Sequence, residues 1–362
     1  MTKLCILFGG RSAEHAVSCM SAVSVIGAVD KTKYEIVTIG ITEAGEWLLY
    51  DGPLEDITNG KWQETAKKAL AENPEKYGFT VLGAGGKSLR DVADFVLPVV
   101  HGTYCEDGKL QGLLEMADIP YGGCGVTASA LAMDKILAKD VFSKVGLPVC
   151  KYVATSEKKI REDIDSVIEK IESQLGYPAY VKPANMGSSV GISKAVDRET
   201  LAEGLRLASV YDRRILIEEG VNCREIEVAV LGDHDVKASV VGEIVATEDF
   251  YDYDSKYIDD GKPKMKIPAE LPAEISDKVR EYAVKAFMAI DGAGFARCDF
   301  FLNKDNGEIY INEINTIPGF TKFSMFPLLW ENTGSPYSET IERIIELGYE
   351  RYNTQNNKST DK

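Results

Sequence analysis

The sequence lacks the features that would assign it to a membrane or a secreted class of protein. Its apolar runs, such as DFVLPVV, are strand-sized and too short to cross a membrane. The first residues, MTKLCILFGG, lack the long apolar region and the cleavage site of a signal peptide. We therefore expect a cytoplasmic protein with no membrane partner.

Cysteine pairs and basic clusters are also missing, and these absences exclude three more classes. The seven cysteines are scattered and show no C-x-x-C spacing, which argues against a disulfide framework and a zinc site. The formal net charge is −16. Because nucleic-acid affinity depends on clustered Lys and Arg, we expect no nucleic-acid partner, while a local basic pocket for a small polyanion stays open.

What the sequence does contain is an alternation of strand-like and helix-like segments. KLCILFG is typical of a buried strand, SAEHAVSCMSAVSVIGAV of a helix and YEIVTIGIT of a second strand, and this order predicts a parallel sheet. Later, apolar residues recur at helical spacing from Val126 to Val145, and a last helix is predicted around Ser338 to Tyr349. A chain of 362 residues is expected to form two or three domains.

A predicted hairpin near the end of the chain carries acids on one face. In EIYINEIN, strict alternation places Ile309, Ile311, Glu313 and Asn315 on the same side. Pairing with FARCDFF would set Asp299 opposite Glu313 and Arg297 opposite Asn315. Two carboxylates about 4 Å apart repel by roughly 4 kcal/mol at an effective dielectric constant of ~20, so a cation is expected between them. Oxygen ligands of this kind suit Mg²⁺, and the alternative is a solvated surface strand with one Arg salt bridge.

The segment VKPANMGSSVGIS is the best candidate for holding a phosphate. A lysine, Lys182, leaves a strand, and Gly187, Ser188, Ser189 and Gly191 follow in a loop whose N–H groups can bind phosphate oxygens. Two other glycine-rich segments, GAGGKS and DGAGFAR, lack glycines that known phosphate motifs need. The alternatives are an ordinary flexible hairpin and, for Lys135 in AMDKILAKD, a solvated helix lysine. Together, two lysines, a glycine-rich loop and an acidic face describe a Mg-ATP cleft.

Seven blocks of sequence, taken in order, resemble the D-alanine-D-alanine ligase family of the ATP-grasp superfamily. They are FGGRSAEHAVS, HGTYCEDGKLQG, GVTASALAMDK, VKPANMGSSVGISK, FYDYDSKY, GFARCDFF and NEINTIPGF. The resemblance implies an α/β, three-domain ATP-grasp fold, with an N-terminal doubly wound parallel sheet and two α+β domains that clasp ATP. The expected boundaries are 1–125, 126–212 and 213–350, with a lid loop at 247–266 and a polar tail at 351–362.

The same resemblance implies a reaction. ATP would phosphorylate the carboxylate of one D-alanine, and the amine of a second would attack the acyl phosphate to make D-alanyl-D-alanine for peptidoglycan. The implied cofactors are ATP and two Mg²⁺ ions, with Mn²⁺ as an alternative ion. The implied assembly is a homodimer.

Residue by residue, the resemblance implies four groups of site residues. The catalytic group is Glu14, Ser188, Tyr257, Arg297 and Gly319. The substrate-binding group is His101, Ser324 and Met325. The ATP-binding group is Lys135, Lys182, Ser189, Glu218, Glu219, Val221, Glu225 and Lys256. The metal ligands are Asp299, Glu313 and Asn315, which agrees with the acidic face of the hairpin.

Two of these residues also have ordinary structural explanations. An acid such as Glu14 in the first turn of a helix is favoured by the helix dipole in any protein. His101 follows a strand, where the carboxyl end of a parallel sheet usually forms a site, but a lone histidine is often structural. The functional reading of both rests on the resemblance.

The acceptor substrate is the least determined part of the prediction. Tyr257 in the lid and Met325 after Ser324 favour D-alanine, because relatives that make D-alanyl-D-lactate replace that tyrosine and commonly carry an arginine at the Met325 position. Met186 and Phe323 depart from the residues common in the family. The alternatives are a D-alanyl-D-serine or D-alanyl-D-lactate ligase of the same fold, and a nucleotide-binding regulator without catalysis.

Overall fold

The computed structural model describes residues 1–83, 85–245 and 264–356, and three sheets organise this part of the chain. The first sheet contains β1 (Thr2–Gly9), β2 (Tyr34–Ile41), β3 (Trp47–Tyr50) and β4 (Phe95–Pro98), in the order β3-β2-β1-β4. As predicted, β1 runs parallel to β2 and β4, whereas the edge strand β3 is antiparallel to β2. The helices of this stretch are α1 (His15–Ala28), α2 (Leu54–Thr58), α3 (Trp62–Glu72), α4 (Pro74–Tyr77), α5 (Leu89–Val92) and α6 (Lys109–Met116).

Apolar cores cover both faces of the first sheet, so it is doubly wound. Phe8 and Phe95 pack with α1 and α3 on one face, and Leu7 and Val96 pack with α5 and α6 on the other. The continuous apolar run Leu4–Phe8 is fully buried, as expected for a strand covered on both sides.

The second sheet is antiparallel, and one of its faces lines the candidate site. It contains β5 (Tyr152–Ser156), β6 (Ala179–Pro183), β7 (Ser193–Ala195) and β8 (Arg214–Glu219), in the order β5-β8-β6-β7. The predicted glycine-tipped hairpin is confirmed as β6 and β7. One face packs on α9 (Glu157–Glu162), α10 (Ile164–Gln174) and α11 (Arg198–Tyr211). The opposite face carries Lys182 and Glu218 towards α8 (Lys135–Lys144), which follows α7 (Val126–Met133).

The third sheet forms the opposite wall of the cleft. Its strands are β9 (Cys223–Gly232), β10 (Lys237–Val245), β11 (Lys264–Lys266), β12 (Gly294–Asn303) and β13 (Ile309–Asn315), in the order β11-β10-β9-β12-β13. Helix α12 (Ala273–Ala289) covers one face, where Phe287 packs near Cys298 and Phe300. On the other face Phe295 packs against Phe326 of α13 (Met325–Thr333).

The last helix, α14 (Tyr337–Asn356), returns to the first sheet. Ile344 and Ile345 are buried in the same core as Phe95. A Cβ on Gly348 would lie 2.6 Å from the Phe95 ring, so only glycine permits this close approach. The predicted end at Tyr349 was too early, because Arg351 lies 4.0 Å over the Tyr121 ring and donates to the Tyr121 hydroxyl at 3.0 Å. Among the described residues, no helix is long and apolar enough to span a membrane.

Candidate active site

A polar cavity of about 110 Å³ lies where loops of the first sheet meet the other two units. Its walls come from the loops after β1 and β4, the start of α8, the tip of the β6–β7 hairpin and the segment that follows β13. It brings together eight of the site residues that the resemblance implied: Glu14, His101, Lys135, Ser188, Arg297, Glu313, Asn315 and Gly319.

The hairpin that carries the acids pairs in the predicted register. Arg297 lies opposite Asn315 and Asp299 opposite Glu313. The register then shifts, so that Phe300 pairs with Ile311 and Asn312 is the extra residue of a bulge. The prediction that Ile309 and Ile311 share the face of Glu313 was therefore wrong. The bulge reverses the alternation, and both isoleucines join the core under α12 while Glu313 and Asn315 line the cavity.

Arg297 is held by acids from two neighbouring strands. Its guanidinium donates two hydrogen bonds of 2.7 Å to Asp299, and Nε lies 3.0 Å from Glu227 on β9. Although burial alone would lower it, the pKa of Arg297 is raised well above its usual range, chiefly by the charges of Asp299 and Glu227. Sequence reasoning missed Glu227. The sequence feature that could have revealed it is an acid between Ile226 and Val228, at the start of the apolar part of β9.

The oxygen ligands on this face fit Mg²⁺. Asp299 and Glu313 are cross-strand partners, and the Asn315 amide donates to Asp299 at 2.9 Å. Within the described part of the chain, no group of three His, Cys, Asp or Glu side chains is arranged to hold a metal. Two carboxylates and an amide form a sparse set, which suits an ion that keeps water and phosphate oxygens in its shell.

Lys135 reaches this face because the helix is interrupted at the residue before it. The single helix predicted from Val126 to Val145 is two helices, since Asp134 leaves helical geometry and caps α8 by accepting from the N–H groups of Ile136 and Leu137. Lys135 thus occupies the first position of α8. Its Nζ lies 3.4 Å from Glu313 and donates to the Met186 carbonyl at 2.7 Å.

The open face of the second sheet carries two of the predicted ATP residues, and others lie on segments next to it. Lys182 and Glu218 are buried there and form an ion pair of 2.5 Å. Glu219 accepts from the Lys151 N–H at 2.8 Å, and Val221 follows in the connection to β9. Glu225 lies on β9 opposite Phe301, whose ring is 5.9 Å from Lys182 Nζ.

The hairpin tip closes onto the first unit through Ser188. The Ser188 hydroxyl donates to Glu14 at 2.6 Å across 174 positions of sequence. Ser188 and the neighbouring Ser189 have φ values of 50° and 60°, in the left-handed region that tight turns use. Helix α1 begins at His15, so Glu14 precedes its first turn and its side chain does not cap the helix. The helix dipole favours an acid at this N-cap position, and the contact with the hairpin tip is additional to that effect.

His101 is buried beside the same cavity in its neutral form. Nδ1 lies 2.8 Å from the Ile317 carbonyl, which can only accept, so the ring proton sits on Nδ1. Nε2 then accepts from Ser21 at 3.3 Å. Burial lowers the pKa of His101, which keeps the imidazole neutral.

Glu106 is a cavity residue that sequence reasoning missed. It accepts from the N–H groups of Gly102 at 2.9 Å and Ile317 at 3.3 Å. Burial, with a smaller contribution from the charge of Glu14, raises the pKa of Glu106 to about 8. The sequence feature that could have revealed Glu106 is the acid pair in HGTYCEDG, directly after a strand that ends at the site.

The remaining predicted residues are divided between the cavity edge and other places. Ser324 accepts from the Thr321 N–H at 3.1 Å, close to the position that a Cβ on Gly319 would occupy. Met325 is buried in the core, where its sulfur would lie 2.8 Å from a Cβ on Gly242, and it is not among the cavity residues. Lys256, Tyr257 and most of the predicted lid loop lie outside the described residues.

These features define a class of protein. Two sheets that enclose a cleft, with lysines on one wall and a carboxylate-amide set on the other, are the architecture of an ATP-grasp enzyme. The profile described as D-ala D-ala ligase N-terminus matches residues 3–124, and that described as D-ala D-ala ligase C-terminus matches residues 141–346.

Whole-chain comparisons agree. A D-alanine--D-alanine ligase of Ruminiclostridium cellulolyticum is 50% identical over 360 residues, covering 97% of this chain and 96% of the relative. The solved D-alanine-D-alanine ligase from Coxiella burnetii has a TM-score of 0.82 at 32% identity, covering 98% of this chain and 96% of its own. The VanG D-Ala:D-Ser ligase from Enterococcus faecalis has a TM-score of 0.82 at 34% identity, covering 96% and 99%. The chain belongs to the D-alanine-D-alanine ligase family, which confirms the resemblance seen in its sequence.

Proposed function

We propose that this protein is an ATP-dependent ligase that joins two D-alanines through a D-alanyl phosphate and supplies D-alanyl-D-alanine for peptidoglycan. The observation that carries the proposal is one cleft in which Lys135 contacts Glu313 beside Arg297, while Lys182 reaches Phe301 on the strand that carries Asp299. Phosphoryl transfer needs this combination, because catalysis consists mainly of positioning and charge stabilisation. A regulator that only binds nucleotide would not need it.

In the proposed first step, the carboxylate of the first D-alanine attacks the γ-phosphorus of ATP and ADP leaves. Lys135 and Lys182 hold the phosphates, and Ser189, Glu218, Glu219, Val221, Glu225 and Lys256 bind the rest of the nucleotide. Asp299, Glu313 and Asn315 would hold Mg²⁺, which neutralises phosphate charge when it is bound. Glu14 binds the ammonium group of the first D-alanine, and Ser188 orients Glu14.

In the second step, the amine of the second D-alanine attacks the acyl carbon and phosphate leaves, with loss of a proton from the amine. Arg297 and the Gly319 N–H donate to the oxygens that gain negative charge, and donors of this kind typically contribute about 3–4 kcal/mol. His101 and Ser324 line the acceptor region, and Tyr257 belongs to a lid that excludes water. Because it lies in the core, Met325 acts on the acceptor site only through the position of Ser324.

The acceptor has two candidates. Relatives named D-alanine--D-alanine ligase at 48–50% identity support D-alanine. A D-serine acceptor is the second candidate, because the VanG D-Ala:D-Ser ligase shares the fold over 96% of this chain. We further propose two Mg²⁺ ions per site, a homodimer, and a location in the cytoplasm, where the proposed substrate ATP is available and thiols stay reduced.

The experiment is phosphate release from Mg-ATP with D-alanine, D-serine, D-lactate and L-alanine, offered singly and in pairs with D-alanine, with products identified by mass. We expect D-alanine alone to yield the dipeptide. A requirement for D-serine or D-lactate would replace the acceptor and keep the ligase. Nucleotide binding without any product would support the regulator.

A further inference from the structure

A buried lysine that the proposed mechanism does not use lies next to the nucleotide wall. Lys139 is on α8, four residues after Lys135, and only 1% of its surface is exposed. Its Nζ lies 2.5 Å from one oxygen of Glu218, and the Nζ of Lys182 lies 2.5 Å from the other. One carboxylate is therefore held between two ammonium groups.

Burying two ammonium groups beside one carboxylate carries a free-energy cost unless each ammonium group has a further partner. Moving an ammonium group out of water carries a penalty of several kcal/mol, which a single shared carboxylate only partly offsets. The proposed function gives Lys182 a second partner, the nucleotide phosphates. Within the described part of the chain, Glu218 is the acid that Lys139 contacts.

We infer, on the basis of the proposed function, that Lys139 is a positioning residue for nucleotide recognition. It holds Glu218 ionised and in place, so that Lys182 can bind the phosphates and Glu218 can accept a hydrogen bond from the adenine amine. Lys139 itself contacts neither the nucleotide nor D-alanine.

The protonation of Glu218 agrees with this role. Burial alone would raise the pKa of Glu218, but the charges of Lys139 and Lys182 lower it to about 2. The other titratable side chains that flank Glu218 are phenols and a thiol. Tyr152 on β5 and Tyr180 on β6 are its cross-strand partners, and the nearby Cys150 has a pKa raised to about 12 by burial. Without Lys139, the burial penalty on Glu218 would be opposed by Lys182 alone.

The inference predicts a link between base selectivity and pH. An ionised carboxylate accepts from the N6 amine of adenine and repels the O6 of hypoxanthine, whereas a protonated carboxyl group can donate to O6. Wild-type protein should therefore prefer ADP to IDP by the same factor at every pH from 5.5 to 7.5, where the N1–H of hypoxanthine stays protonated. In Lys139→Met, the preference should fall as pH falls, because Glu218 takes up a proton.

The test measures ADP and IDP dissociation constants by calorimetry across this pH range, for the full chain. In Lys139→Met the ADP-over-IDP ratio should fall as the pH is lowered, by up to about tenfold for each pH unit below the pKa that Glu218 has in the variant. The phosphates are the same in both ligands, so their own titration cancels. Lys139→Arg should restore the flat profile, and Lys144→Met, an exposed lysine of the same helix, is the matched control.

A second variant background distinguishes the proposed positioning role of Lys139 from a purely structural role. Glu218→Gln removes the titrating group, so Lys139→Met in that background should leave the ratio independent of pH. If Lys139→Met fails to fold, Lys139→Gln is measured with the same expectation. A flat ratio in the folded Lys139 variant overturns the inference alone. Failure of the wild-type protein to bind ADP overturns the proposed function, and the inference with it.

Discussion

The hydrogen bond between Ser188 and Glu14 gives the sharpest test of how the hairpin tip and the first unit cooperate. The perturbation is Ser188→Ala, which removes the hydroxyl that donates to the carboxylate at 2.6 Å. A hydrogen bond to a charged group contributes about 1.5–3 kcal/mol, which corresponds to a loss of roughly 10- to 160-fold in kcat/KM for D-alanine. Because the hydrogen bond is present without substrate, its loss should also lower the free energy of unfolding, by no more than about 1.5–3 kcal/mol.

The assay is phosphate release at saturating ATP with D-alanine varied, together with the double variant Glu14→Gln/Ser188→Ala. The two groups act through one contact, so the double variant should lose less than the product of the two single losses. Ser173→Ala, an exposed serine on α10, is the control. A Ser188→Ala enzyme within about twofold of wild type, or losses that multiply, would refute the reasoning.

Three further predictions follow from the cavity. Glu313→Gln should reduce turnover by at least about a hundredfold and weaken the dependence of turnover on Mg²⁺. Glu308→Gln, on the exposed end of the same hairpin, is the control and should have neither effect. Equal effects of the two variants in a Mg²⁺ titration would contradict the assignment of Glu313 as a metal ligand. Arg297→Lys keeps the charge but loses the two-bond fork to Asp299, so kcat should fall by about 10²–10³ with unchanged circular dichroism, and a wild-type kcat would contradict this role. The folded-state pKa of Glu106 is raised to about 8, above its unfolded value, so its contribution to stability is complete at acidic pH and is lost as pH rises towards 8, by up to about 1.4 kcal/mol per pH unit. Urea unfolding from pH 5 to 8 should show this decline in wild type and not in Glu106→Gln, and parallel profiles would count against it.

Local signals in the sequence predicted the parts of the site that depend on neighbouring residues. Alternation and turn composition were enough to place Asp299 opposite Glu313 and to identify the hairpin that follows Lys182. The bulge at Asn312 was not predictable in this way, because one extra residue reverses the alternation without changing composition. The break at Asp134 was hidden by apolar spacing that continues across it, although an aspartate that caps a helix is a recognisable signal.

Long-range contacts account for the other failures. Glu106 and Glu227 are acids whose importance is visible only when the loops and strands that bury them are assembled. The helix beyond Tyr349 likewise depends on Tyr121, which lies 230 positions before Arg351. Met325, which the resemblance placed beside the substrate, is buried in the core next to Ser324, and its role in substrate binding stays a prediction.

The return of α14 to the first sheet also determines the order in which the protein can be completed during its synthesis. The strands of that sheet end at Pro98, but the helix that covers one of its faces supplies Ile344 and Ile345. At about 5–20 residues per second, a ribosome needs roughly 12 to 50 seconds to make the chain between them. For that interval α1 and α3 cover this apolar face only in part. The first sheet is therefore completed by a helix that is synthesised much later than its strands.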